Sequence, residues 1–228
     1  KGIKDKNLSK VGNKTLLEWS INACKKCRSI SEVIISTDSE KYANHAAEKG
    51  GLVPFLRPKN ISDDYSTDYE FFEHYINWAK ENSCCPDLIA HIRPTTPLRD
   101  PEIIEKAIIF FINNQKKITS MRSVHPMPES AYKTFEINTD GLLTHIGSKD
   151  PELDKANNAR QQFPTTYVAN GYVDLISTEF VLKSKKIHGN RVLPFITPIT
   201  HEIDTLEDID LLEFHLIKNK NFITKVFG

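Results

Sequence analysis

The chain has 228 residues, 39% hydrophobic and 9% aromatic, enough to bury a sizeable core and too apolar for a disordered chain. Thirty basic and thirty acidic residues cancel, so no global field draws the molecule to nucleic acid or an anionic membrane, and any anion site must be local. No apolar run approaches the roughly 20 residues of a membrane span and no signal-peptide pattern is present, which points to a cytoplasmic protein.

Lys1-Gly2-Ile3-Lys4-Asp5-Lys6-Asn7 is a basic loop with no strand ahead of it. A doubly wound sheet normally begins with a strand feeding such a loop, so roughly ten to fifteen residues, including a mobile glycine-bearing loop, are expected to precede Lys1. Leu16, Leu17, Trp19, Ile21, Ala23 and Cys24 predict an amphipathic helix ending near Arg28. Residues 32–37 read as a strand closed by Asp38, residues 40–49 as a helix stopped by Gly50-Gly51, and residues 52–56 as a strand delivering Arg57-Pro58. Thr67-Asp68-Tyr69-Glu70 fits a capping box opening a helix through Asn82, with Phe71, Phe72, Tyr75, Ile76 and Ala79 inward.

Leu88 to Ile92 is a short apolar run that reads as a buried strand, broken at once by a turn in which Pro94 and Pro97 fix φ. Ligands of open α/β sheets bind beyond the carboxyl ends of the strands, so a stiff turn carrying Arg93 and Arg99 suits an anionic small molecule. Asp100 caps and Pro101 opens a helix to about Asn114, and residues 118–124 form another strand. Residues 126–169, with Gly141, Gly147, a polar stretch over 149–158 and an alternating pattern from Tyr132 to Ile137, read as a β-rich insertion. Strand character resumes over 171–177, and Thr205 starts a last helix carrying Leu206, Ile209, Leu212 and Leu216. The alternation of helix and strand implies an α/β chain with a doubly wound, mostly parallel sheet, divided into a core over 1–125, an arm over 126–169 and a return to the core over 170–228. Cys24, Cys27, Cys84 and Cys85 fall in what read as helical regions and are expected to be reduced, buried thiols in preference to a zinc site or a disulfide.

Four constellations are candidates for chemistry. Lys1 and Lys6 beside Gly2 can present ammonium groups and backbone amides to a polyphosphate, though a solvated loop is the commoner cause of such a pattern. Arg57 leaves a strand end with a fork suited to phosphate or a base carbonyl, while Thr67 and Asp68 can merely start a helix or both start it and face a ligand. In an extended segment Glu202 and Asp204 share one face about 6–7 Å apart, hard oxygens suited to a Mg²⁺ that carries triphosphate. The alternative is that Thr205 and Asp208 cap the last helix and the two acids are solvated. In the insertion, Lys133, Arg160, Gln161 and Asn170 could hold a carboxylate and hydroxyls, against the more frequent reading of a charged rim. His91, His125 and His201 are scattered and read as structural or exposed.

Taken in order, these pieces resemble the CMP-sugar-acid synthetases, the acylneuraminate cytidylyltransferases, over essentially the whole chain. Lys-Gly-Ile-x-x-Lys-Asn at 1–7, Ile-Ile-Ser-Thr-Asp at 34–38, Leu-Arg-Pro at 56–58 and Pro-Thr-Thr-Pro-Leu-Arg at 94–99 match that family's blocks. So do Tyr-Lys-Thr at 132–134, Arg-Gln-Gln-x-Pro at 160–164, Asn-Gly at 170–171 and Ile-Asp-Thr at 203–205. The resemblance implies a Rossmann-like nucleotidyltransferase fold with a dimerisation insertion. It further implies that Lys1, Lys6, Asn7, Arg57 and Thr67 bind CTP, and that Asp68, Arg93, Thr95, Lys133, Arg160, Gln161 and Asn170 bind the sugar acid. Asp204 with Glu202 would hold Mg²⁺, Lys6 and Asp204 would serve catalysis, and the arm would build a homodimer in which Arg160 acts on the partner's site.

Two departures stand out. Glu202 replaces the usual Asp, and Arg93 stands where sialic-acid-specific members show Gln, which favours a related nonulosonate such as legionaminate. An eight-carbon acid of the Kdo type, or a catalytically silent nucleotide-sugar binding domain, are the alternatives.

Overall fold

The computed structural model describes residues 3–146 and 152–228. A tight hairpin of β1 (Lys10–Val11) and β2 (Lys14–Thr15) leads into α1 (Leu16–Lys25). Thr15 and Glu18 close a reciprocal capping box at its start, satisfying two amide donors that a helix leaves free. Residues 33–37 then run beside residues 52–57, the Ile35 and Leu52 amides donating to Leu52 O and Val33 O at 2.8 Å and the Arg57 amide to Thr37 O at 2.8 Å. The two expected strands are thus an extended pair joined by one parallel bridge, Ile34 to Leu52, with α2 (Glu40–Glu48) as their crossover.

The Thr67 box opens α3 (Asp68–Glu81) as expected, with Phe72, Ile76 and Ala79 buried. β3 (Leu88–His91) follows, then α4 (Pro101–Asn114), whose Asp100 cap and Pro101 opening match the sequence reading. β4 (Ser120–Pro126) leads to the arm, where β5 (Phe135–Ile137) and β6 (Leu143–His145) form an antiparallel hairpin. Gly147 and the start of the polar stretch, 149–151, lie outside the described residues. β7 (Tyr167–Ser177) is longer than expected and begins inside the arm, because Tyr167, Val168 and Ala169 continue the pairing with β4 past a register shift. Three elements escaped the sequence reading: α5 (Thr178–Ser184), β8 (Val192–Ile196) and, after α6 (Leu206–Lys218), α7 (Asn221–Phe227).

The larger sheet has the order β3-β7-β4-β8, with β7 antiparallel to both neighbours and β4 parallel to β8. β3, β4 and β8 therefore point one way, and one reversed strand sits among them. Val173 and Leu175 of β7 pack with α1, α4, α6 and α7 on one face. Ile176 packs with Phe72, Ile76 and Val181 of α3 and α5 on the other, so helices cover both sides as a doubly wound fold requires. Trp19 centres the larger core, fully buried, edge-on to Phe227 and donating its indole N–H to Val11 O.

The thiols correct one expectation. All four are free; Cys24 and Cys27 are buried, but Cys84 and Cys85 follow the end of α3 and are exposed.

Candidate active site

The turn after β3 is held from beneath by Arg99, whose side chain is fully buried. Its Nε donates to Tyr172 O, Nη2 to Arg93 O and Gly171 O, and Nη1 to Ser20 Oγ. Burial pushes its pKa down to about 10, and neighbouring groups, Glu202 among them, oppose that only in part. Arg99 is therefore not a ligand cation, as the turn's sequence suggests, but the clamp that ties the turn to β7 and α1.

On top of the clamped turn lies the extended segment before α6. The Ile203 amide donates to Thr95 O at 2.8 Å, and Thr95 Oγ1 donates to Glu202 Oε1 at 2.7 Å. Ile203 points fully inward, so Glu202 and Asp204 share the outward face as alternation predicts. Lys6 closes the group: its Nζ donates to Asp204 Oδ1 and Ile203 O, both at 2.9 Å. The helix-capping alternative also holds, since the Thr205 hydroxyl and amide donate to Asp208. Capping uses Asp208 and leaves the Asp204 side chain 72% exposed, so the two roles do not compete.

Beside this group opens a cleft of about 890 Å³, to which Asn7, Thr37, Asp38, Arg57, Arg93 and Pro94 contribute. Arg57 lies 5.8 Å from the Phe71 ring centre and donates through Nε to Ser62 Oγ. Arg57 and Arg93 thus share one cavity, whereas Lys6, Thr95, Glu202 and Asp204 are not among the residues that line it, although Asn7 and Pro94, next in sequence to Lys6 and Thr95, are. Lys1 lies outside the described residues.

Several expected ligand residues are committed elsewhere. Arg93 donates to Asp68 Oδ2 at 2.6 Å and to Asp174 Oδ2 at 3.2 Å, and these two carboxylates raise its pKa against the effect of burial. Thr67 spends its hydroxyl on Glu70 in the α3 cap. Asn170 is nearly buried; its amide donates to His125 Nδ1 and Thr197 Oγ1 and accepts from the Tyr172 amide. Lys133 donates to Asn158 O at 3.3 Å, while Arg160 and Gln161 lie exposed in a turn of the arm. Within the described residues, none of these three is hydrogen-bonded to Arg57, Arg93 or Asp204.

The buried carboxylate at the centre went unnoticed in the sequence reading. Asp174 is 1% exposed on β7, with Arg93 on one side and Arg122 at 3.6 Å on the other. A lone acid inside the apolar run from Val173 to Ile176 is the signal that marks it. His91, its neighbour across the ladder, is pushed down to about 4 by burial and by the Arg93 charge.

Lysine, arginine and paired carboxylates at strand ends near an open cleft are the equipment of phosphate chemistry, in which alignment and charge neutralisation do most of the work. Fold and site together define a nucleotidyltransferase. The family model for cytidylyltransferases matches residues 1–214, and the chain belongs to that family. It is 27% identical to the post-translational flagellin modification protein B of Campylobacter coli, over 100% of this chain and 94% of that protein. It is 26% identical to the pseudaminic acid cytidylyltransferase of Campylobacter jejuni, over 92% of this chain and 88% of that one. Among solved structures, a CMP:2-keto-3-deoxy-manno-octonic acid synthetase complexed with CTP superposes with a TM-score of 0.67 over 96% of this chain and 94% of its own, at 10% identity.

Proposed function

We propose that the protein activates a nonulosonic acid, a nine-carbon 2-keto-3-deoxy sugar acid, with CTP to give the CMP-sugar and pyrophosphate. The observation that carries this reading is the hydrogen-bonded group of Lys6, Thr95, Glu202 and Asp204, joined through residues 6–7 and 94–95 to the wall of the cleft that Arg57 and Arg93 share. The anomeric C2 hydroxyl attacks the α-phosphorus, the bond to the pyrophosphate oxygen breaks, and the hydroxyl proton passes to solvent. Arg57 and Asn7 hold the nucleotide at the cleft mouth, Lys6 offsets charge on phosphate oxygens, and Arg93 faces the sugar acid. Two contacts occupy Arg93 within the protein, and a guanidinium has five N–H groups, so donors remain for a ligand.

Glu202 and Asp204 fit Mg²⁺, which takes one or two carboxylates and completes its shell with phosphate oxygens and water. Among the described residues no group of three or more His, Cys, Asp or Glu side chains is placed to hold a metal; with two carboxylates the shell would be completed by substrate phosphates and water. Bound there, the ion neutralises triphosphate charge.

The activity of the Campylobacter jejuni relative supports the sugar-acid class. Within that class, Arg93 in place of the glutamine of sialic-acid-specific members favours a legionaminate-like acid. The arm supports a homodimer: its hairpin exposes Ile137 at 73%, Leu142 at 64% and Leu143 at 51%, an apolar face that a second copy would cover. Arg160, exposed on the same arm, then reaches the partner's cleft.

The test is CTP-dependent pyrophosphate release with legionaminic, pseudaminic, N-acetylneuraminic and Kdo acids in parallel, with the product weighed by mass spectrometry. Turnover of a nine-carbon acid to its CMP-sugar supports the reading. Turnover of Kdo alone, or CTP binding with no product from any acid, contradicts it.

A further inference from the structure

A charged row crosses the larger sheet outside the cleft. His91, Asp174 and Arg122 are directly paired across β3, β7 and β4, so their side chains share one face. Ile176, two residues beyond Asp174, packs against α3 and α5, which fixes that face as theirs. Helix α3 covers the near end of the row, where Phe71 and Phe72 stand against His91. The far end is open: Pro194 of β8, paired with Arg122, is exposed, and Ile196, on the same side of that strand, is 59% exposed. Arg122, Asp174, Pro194 and Ile196 do not line the cleft; they form a shelf beside it, with Arg93 at the boundary between the two.

Arg122 is anchored on this shelf but not satisfied. Its Nε stands 3.6 Å from Asp174 Oδ2, beyond hydrogen-bond distance, and is buried without a partner, as is Asp174 Oδ1. Among the described residues none of the five N–H groups of Arg122 makes a hydrogen bond, whereas the equally strand-bound Arg99 makes four. Proteins pair nearly all their buried polar groups, so a guanidinium held in place with its donors unused marks a ligand site in preference to a structural one. Arg93 and Arg122 approach the same oxygen, Asp174 Oδ2, at 3.2 and 3.6 Å, so one small molecule can touch both guanidinium groups. Asp68 and Asp174 already balance the two cations, so a neutral acceptor suits Arg122 better than a second anion. An acylamino group meets both halves of the shelf, offering a carbonyl oxygen to the guanidinium and a methyl to Pro194 and Ile196.

We infer that Arg122 is a specificity-determining residue, donating to the carbonyl oxygen of an acylamino substituent on the sugar acid while the acyl methyl lies on Pro194 and Ile196. The inference rests on the proposed reaction and adds what the acid must carry beyond its carboxylate. Asp174 acts as the strut that holds Arg93 and Arg122 over one ligand. A hydroxyl at the same carbon would be shorter and would leave the apolar half of the shelf untouched.

The test uses N-acetylneuraminic acid and its analogue with a hydroxyl in place of the acetamido group. R122K keeps a cation beside Asp174, and R122M keeps only the apolar stem. In the parent, kcat/KM for the acetamido acid should exceed that for the hydroxyl analogue by about 10-fold or more, the worth of one hydrogen bond to a charged group. In R122K and R122M this ratio should fall to within about twofold of unity, with KM for CTP unchanged and the urea midpoint of R122K close to the parent's. A parent without the preference, or variants that keep it, would overturn the inference. Absence of turnover with both probes counts against the proposed reaction, and binding then decides the shelf separately. The two acids are titrated into ¹⁵N-arginine-labelled parent, where the Arg122 Nε–H signal, identified by its loss in R122K, should shift with the acetamido acid alone. No shift, or equal shifts with both acids, would overturn the inference.

Discussion

Replacing Arg99 with lysine should destabilise the protein far more than a charge-conserving change on the surface. The guanidinium makes four hydrogen bonds in full burial, to the carbonyls of Tyr172, Arg93 and Gly171 and to Ser20 Oγ. An ammonium donates from one point and spans at most two of these acceptors. Hydrogen bonds to a charged group are worth about 1.5–3 kcal/mol each, and a buried carbonyl left without a donor costs about 1–3 kcal/mol, so losing two gives about 3–5 kcal/mol. Against a total stability of about 5–15 kcal/mol that is a large share. With a urea dependence near 3 kcal/mol per molar, the unfolding midpoint should fall by about 1 M or more without a change in slope. Because Arg99 Nη2 holds Arg93 O, kcat should fall as well. A midpoint within about 0.2 M of the parent would refute the assignment of Arg99 as the clamp of the turn.

His91 gives stability a pH dependence. Its pKa in the folded protein lies near 4, below the ordinary 6.5, so the unfolded chain binds the proton more readily between those values. The contribution, at most about 3 kcal/mol, is complete above pH 6.5 and is lost as pH falls toward 4; urea titrations at pH 7.5, 6 and 4.5 should show this, and H91Q should flatten the profile. The native protein should react rapidly with a thiol reagent at Cys84 and Cys85 only. Cys24 and Cys27, pushed by burial to about 11 and 12, should wait for unfolding, and four fast thiols would contradict the packing of α1. Asp174→Asn should leave Arg93 and Arg122 facing a neutral amide and cost about 3 kcal/mol or more, whereas Asp68→Asn, at the exposed end of the same chain of charges, should cost under about 1 kcal/mol.

Elements with a local chemical signature were legible in the sequence. Thr15, Ser39, Asp100 and Thr205 each open a helix through a side-chain oxygen, and Thr67 does so through the Glu70 carboxylate that reaches back to its amide; four of these five starts are legible to within a residue or two. The outward face of Glu202 and Asp204 was legible for the same reason, because strand alternation is a local rule. What local pattern could not supply was partnership. β8 carries Pro194 and leans on β4 only through the tertiary fold. Arg93 and Arg99 look alike in a shared turn, yet one reaches two carboxylates and the other is consumed by carbonyls drawn largely from β7, more than seventy residues away in sequence. Asn170 was marked as a ligand by its place in a motif, but the surrounding His125 and Thr197 claim its amide.

Lys6, Glu202 and Asp204 are proposed as the charge-neutralising centre of a cytidylyl transfer. Pyrophosphate release by Asp204→Ala, with CTP, Mg²⁺ and the best acid of the panel, tests it most directly, alongside a urea melt of the same sample. Asp204→Ala should lose about 10²–10³-fold in kcat with the unfolding midpoint nearly unchanged. Pyrophosphate release within a few fold of the parent enzyme would contradict it.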